Sequence, residues 1–137
     1  MDELDREIVS ILRQDARTPY TEIAEEVDIS EGTVRNRVER LLEEGIIERF
    51  TVATRTGNVK AMIEVEVDVD VDTAAVSERI AEWEEVDFVW QVSGEEDIVV
   101  VVDATDTESV NDLITRSRGM DEVMNTKTRL ILDERIG

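Results

Sequence analysis

Apolar residues recur at helical spacing through the first third of the chain and at alternate positions through much of the rest. Leu4, Ile8, Ile11 and Leu12 follow one another at intervals of 4, 3 and 1, which predicts an amphipathic helix ending before the turn at Thr18-Pro19. Ile23, Ala24 and Val27 mark a second, shorter helix, with Thr21 as its expected cap. A tight turn over Asp28, Ile29 and Ser30 leads to a third helix, whose stripe is Val34, Val38, Leu41 and Leu42. Ser30 suits its N-cap, because a hydroxyl accepts a bond from a free backbone N–H of the first turn; Gly45 suits its C′ position. Residues 46–55 then alternate as a short strand.

The period changes after residue 60. Ala61, Ile63, Val65, Val67, Val69 and Val71 alternate with Glu64, Glu66, Asp68, Asp70 and Asp72, the pattern of a strand with one buried face. Residues 73–83 read as a helix with Val76, Ile80 and Trp83 inward. Residues 86–94 read as a second strand and 98–104 as a third, joined by a tight connection. A helix over 106–117, capped by Asp106 or Thr107, precedes a fourth strand over 122–132. The expected fold is α+β: an N-terminal winged helix-turn-helix followed by a βαββαβ ferredoxin-like unit. Gly57 and Asn58 are turn formers, so the domains are expected at 1–53 and 60–137 with a linker at 54–59. Ile98 to Val102 is apolar at every position, which calls for cover on both faces of its strand. Two helices cover only one face of a four-stranded sheet, so a second copy of the domain is the expected cover of the other, giving a homodimer.

Charge sharpens the picture of the first half. The chain carries 35 acidic and 15 basic residues, a formal net charge of -20. Residues 1–57 hold 8 basic against 14 acidic residues and residues 58–137 hold 7 against 21, so the first part is the less hostile to a polyanion. Arg35, Arg37 and Arg40 fall within six positions of the third helix. At 100° per residue from Val34, Thr33, Asn36 and Arg40 lie on the far side while Arg35 and Arg37 flank the stripe. A helix that reads double-stranded DNA needs this arrangement, with Arg and Asn at base edges and flanking groups at phosphates. Thr21 and Ser30, at the starts of the second and third helices, complete the set expected to face DNA. The competing reading is a solvated arginine face balancing Glu31, Glu39 and Glu43.

Other chemistries recede. The chain has no cysteine and no histidine, which removes disulfides, thiolate sites and imidazole ligands. Neither a dinucleotide fingerprint nor a P-loop occurs. A calcium loop counted from Asp68 fails at Thr73, where glycine is required, and at Arg79, where glutamate is. No cofactor and no metal are expected. No apolar run is long enough to span a bilayer, and the N-terminus lacks the basic start and apolar core of a signal peptide, so a cytoplasmic protein is expected. Lysine supplies only Lys60 and Lys127, so 13 of the 15 basic residues are arginine. With a pI near 4.2, this composition resembles that of proteins from salt-loving cytoplasms, where dense surface carboxylates keep a protein hydrated; the alternative is an acidic mesophile protein.

The stretch from "LDREIVSIL" through "EIAEEV" and "RVERLLEEGII", followed by βαββαβ with "VSGEEDIVVVV", resembles the Lrp/AsnC (feast/famine) family of transcription regulators over about residues 2 to 133. The resemblance implies operator binding by the winged helix, dimers that often form octamers, and a RAM-type second domain that binds an amino acid or related small effector between dimers. It places the effector near the loop "SGEED", with Gly94, Glu95 and Asp97 as candidates, and makes Thr126 and Thr128 of the last strand candidates for its polar groups. A glycine admits a ligand close to free backbone N–H groups, and an aspartate can pair with an α-ammonium. The pair Glu95-Glu96 disfavours an acidic effector. Two other classes stay open: a sensor or adaptor without DNA binding, and an enzyme like the sirohaem decarboxylases, which the lack of histidine argues against.

Overall fold

The computed structural model describes residues 1–94 and 97–137. The chain separates into two compact units, Met1–Thr54 and Arg55–Gly137.

The first unit holds three helices, α1 (Glu3–Gln14), α2 (Tyr20–Val27) and α3 (Glu31–Glu43). Their facing stripes close over Ile8, Leu12, Ile23, Ala24, Val34 and Val38, with Leu4, Ile11, Tyr20, Val27, Ile29 and Ile47 packed around them. The helix ends follow local chemistry. Asp2 caps α1 in a reciprocal capping box with Asp5, and Ser30 caps α3 by accepting from the Thr33 N–H. Gly45, at φ +74°, turns the chain out of α3 in the left-handed region that glycine occupies without strain.

Three local expectations are corrected here. Pro19, not Thr21, occupies the N-cap of α2, so Thr21 lies inside the first helical turn. Proline's fixed φ and missing N–H suit a helix start, and they set the boundary two residues earlier. Leu42 is 38% exposed, outside the buried stripe. The strand expected over 46–55 does not form, because its backbone finds no ladder partner and alternation alone cannot satisfy strand hydrogen bonds.

The second unit contains β1 (Val59–Val67), α4 (Thr73–Ala81), β2 (Val86–Gln91), β3 (Ile98–Ala104), α5 (Thr107–Arg118) and β4 (Val123–Leu130). This is the ferredoxin-like order, and the antiparallel sheet runs β2-β3-β1-β4. Ala61, Ile63, Val65 and Val67 alternate inward on β1 and meet Ile98, Val100, Val102 and Ala104 of β3 beneath Val76, Ile80, Val110 and Leu113 of the helices. β1 ends at Val67, so the alternation expected to reach Val71 breaks early. Val71 donates its N–H to the Asp68 carbonyl in a turn, and Val69 is left exposed.

The helices cover one face of the sheet. On the other, the pairing registers line up two rows: Phe88, Val101, Met62 and Arg129, then Trp90, Val99, Glu64 and Lys127. Each row runs from apolar on β2 and β3 to charged on β4. Phe88 and Trp90 stack with centroids 5.5 Å apart, yet remain about half exposed.

Candidate nucleic-acid interface and effector site

Helix α3 sorts its arginines by partner. Arg35 points outward: its guanidinium donates to Glu31 at 2.8 Å and lies over the Tyr20 ring, 5.8 Å from the centroid. Asn36 and Arg40 are also exposed. Ser30 and Thr33 share a hydroxyl–hydroxyl bond of 2.8 Å at the start of the helix, and Thr21 is exposed in the first turn of α2. Arg37 behaves differently. It turns back onto α1, where it donates to the Asp2 carboxylate and to Asp5 Oδ1 at 3.2 Å. Arg40 also reaches Asp5, at 3.7 Å, while its side chain stays half exposed.

Asp5 is the hub of this cluster and is only 3% exposed. It also accepts from the Asp2 N–H at 3.2 Å. The Arg37 guanidinium, with the Asp5 N–H, holds the Asp2 carboxyl well below the ordinary carboxylate range, at about 2, and both carboxylates raise the pKa of Arg37. Sequence reasoning missed Asp2 and Asp5. The signal was present: Asp5 sits three residues before Ile8 and seven before Leu12, on the apolar stripe itself, where a carboxylate requires a partner.

The cluster therefore does two things. It ties the first helix to the third and fixes the azimuth of α3, and it leaves Arg35, Asn36 and Arg40 as the polar groups facing away from the core. Arg37 is a strut inside the unit as much as a member of the outward face.

In the second unit Gly94, Asp97 and Thr126 lie toward one end of the sheet, while Thr128 pairs with Ile63 at the middle of β1. Gly94, at φ +129°, follows β2 and has open space where a Cβ would stand. Glu95 lies outside the described residues. Asp97 precedes β3; its N–H donates to the Val65 carbonyl, and its Oδ2 accepts from the Val67 N–H at 3.0 Å. One aspartate thus crosses the end of β1 toward Val123, which pairs with Val67 on β4. Thr126 and Thr128 pair with Val65 and Ile63, so both project to the helix-covered side. Thr128 is exposed at the sheet edge. Thr126 is buried, and its hydroxyl accepts from Arg118 Nε at 3.0 Å. Arg118 had no signal in the sequence, because only the α5–β4 turn brings it back over a residue eight positions on.

Comparison with known proteins gives the family. Residues 1–48 match the model of a winged helix-turn-helix DNA-binding domain, and residues 60–136 match that of the Lrp/AsnC ligand-binding domain. The regulator LysM of Sulfurisphaera tokodaii is 38% identical over 133 residues, covering 96% of this chain and 95% of that one. The regulator LrpA of Pyrococcus horikoshii is 38% identical over 138 residues, 98% of each chain. Among solved structures, the leucine response regulatory protein of Mycobacterium tuberculosis superposes with a TM-score of 0.85 at 26% identity, over 100% of this chain and 96% of that one. A Neisseria meningitidis regulator in complex with L-Met shares the fold, with a TM-score of 0.80 at 20% identity over 100% and 93% of the two chains. Family and fold are regulatory rather than catalytic. Regulators of this kind bind DNA and small-molecule effectors as oligomers. Among the described residues no helix is long and apolar enough to cross a membrane. The chain belongs to the Lrp/AsnC family of helix-turn-helix transcription regulators.

Proposed function

We propose that this protein is a sequence-specific DNA-binding regulator that acts as a homodimer and responds to an amino acid bound at the Gly94–Asp97 end of its sheet. One observation carries the DNA-binding part. A capped helix is locked to α1 by Arg37 and Asp5 while Arg35, Asn36 and Arg40 face outward. Locking the helix means its reading face needs no ordering on contact, which is where binding free energy is otherwise lost. Arg and Asn are the side chains that read guanine and adenine edges bidentately.

The acidic, lysine-poor composition supports operation in a salt-rich cytoplasm. At 1 M salt the Debye length is about 3 Å, so carboxylates elsewhere barely oppose a phosphate touching the helix. The same salt removes most of the counterion-release gain, so affinity rests on direct contacts doubled by a dimer. The apolar rows of Phe88, Val101, Met62 and Trp90, Val99 support dimerisation through the open sheet face.

A second reading, a sensor that no longer binds DNA, is favoured by one fact: Arg35, Arg37 and Arg40 each already have a carboxylate partner. Fluorescence anisotropy with the protein's own promoter fragment in molar KCl separates the two. Replacing Arg35 and Arg40 together by alanine is expected to weaken binding about 100-fold, at ~1–3 kcal/mol per lost contact. No binding by the parent leaves the sensor, and unchanged binding by that variant overturns α3 as the reading helix.

A further inference from the structure

We infer that Asp2 is an exchangeable stand-in for a DNA phosphate on Arg37, so that this one carboxylate restrains the protein's affinity for the DNA backbone. That role rests on the reading of α3 as the helix that meets DNA.

Arg37 is shared by two carboxylates of unequal kind. Its Nη1 donates to Asp2 Oδ2 and, at 3.2 Å, to Asp5 Oδ1. The Asp5 side chain is 4% exposed and the Asp2 side chain 55%. Asp5 also accepts from the Asp2 N–H and lies 3.7 Å from Arg40. Pulling Arg37 away from Asp5 strands a buried carboxylate, which is costly. Pulling it away from Asp2 hands the freed oxygen to water, which costs little. Asp2 need not move for this: its Oδ1 stays on the Asp5 N–H at 2.9 Å and continues to cap α1. Of the two contacts, only the one to Asp2 can be given up with the unit intact.

A phosphate can take that place. A guanidinium donates to phosphate and carboxylate oxygens in the same charge-assisted way. Around α3, Arg37 stands about 60° from Arg40 on the border of the outward face, and a quarter of its side chain is exposed. Protonation does not free it. The hydrogen bond from Arg37 holds the Asp2 carboxyl at about 2, so Asp2 stays charged far below neutral pH and only a second anion replaces it. Arg35 differs. Its partner Glu31 is an exposed i,i+4 neighbour with no other bond among the described residues to fix it. Asp2 is already fixed by its cap, so it competes without an ordering cost. The restraint applies to every sequence alike, because phosphate contacts carry no sequence information.

The test measures fluorescence anisotropy of the full chain on two duplexes, its own promoter fragment and a random duplex of equal length, from about 0.3 to about 1 M KCl. Asp2→Asn and Asp2→Ser remove the charge and keep the cap, since Asn, Asp and Ser cap about equally well. Both variants are expected to bind both duplexes about fivefold tighter, the upper worth of an exposed ion pair. They should also steepen the fall of log affinity with log KCl by about 0.9, the share of one phosphate. A role for Asp2 in stability alone leaves that slope unmoved. Asp5→Asn is expected to weaken binding, because it loosens α3. Glu3→Gln removes an equal charge one residue away, on a carboxylate whose ion pair is with Arg6, and should change affinity by less than about twofold. Circular dichroism confirms that each variant is folded, and Asp2→Ser carries the test if Asp2→Asn is not. Parental affinity and slope in both Asp2 variants overturn the inference and leave the DNA-binding reading standing. The same gain in Glu3→Gln overturns it in favour of net charge, and the same gain in Asp5→Asn overturns the division between the two carboxylates. A parent protein that binds neither duplex overturns both readings.

Discussion

The two units solve the problem of a small core in opposite ways. The N-terminal unit buries seven apolar residues and places a carboxylate, Asp5, among them, held by two arginines of another helix. The C-terminal unit contains thirteen buried core residues on one side of its sheet and leaves a half-exposed apolar row on the other. A short three-helix unit has too little apolar area for a large hydrophobic margin, so a partly buried ion cluster fixes its geometry. A four-stranded sheet with two helices has apolar area to spare, and the surplus points outward. The first unit is complete in itself and sensitive to charge. The second has the larger apolar core and leaves Phe88 and Trp90 about half exposed on its open face.

Three variants test that contrast. The largest effect is expected at the sheet. Phe88→Asp with Trp90→Asp puts two carboxylates into the proposed contact and should raise the dimer dissociation constant by about three orders of magnitude, ~4 kcal/mol. Sedimentation in molar KCl reads it, and an unchanged mass would remove the open face from the assembly. Next comes Asp5→Ala. It leaves Arg37 only its exposed partner Asp2 and should cost the first unit ~2–3 kcal/mol, the lower part of the range for breaking a buried pair because the Arg37 side chain is a quarter exposed. Hydrogen exchange should show α1 and α3 losing protection while β1 and β3 keep theirs. Equal losses in both units would dissolve the distinction.

The smallest effect is expected at Asp2, through pH. Its carboxyl is lowered to about 2 by Arg37, so its contribution is fully present above the unfolded value and is lost as pH falls from about 4 toward 2. Asp2→Asn should therefore flatten the acid sensitivity of α1 in that window and leave neutral stability slightly lower. A parent and variant with superimposable acid titrations would show that the exposed pair contributes nothing.

Much of the fold was legible because it depends on period. Val34, Val38 and Leu41 at helical spacing, and Ala61, Ile63, Val65 and Val67 at alternate positions, are buried as patterned. Caps were legible where a single side chain satisfies a backbone group, as Ser30 and Asp106 do. The failures share a cause. Residues 46–55 alternate like a strand, but a strand is a relation between two segments, and no partner segment lies beside it. Val69 continues the β1 alternation but lies past the point where Asp68 binds the Glu122 carbonyl and the chain turns.

The candidate sites divide in the same way. The sequence alone determined that three arginines share one short helix, that a glycine and an aspartate bracket the turn before β3, and that β3 is apolar on both faces. Those are facts of composition and spacing. The tertiary structure decided which of the arginines are spent inside the unit, because Asp2 and Asp5 approach Arg37 across more than thirty residues of chain. It also decided that Arg118 lies over Thr126, since a turn between helix and strand sets that contact. Charge and period are local and can be counted along the chain. Which charge neutralises which depends on distances between elements, and those exist only once the chain has packed.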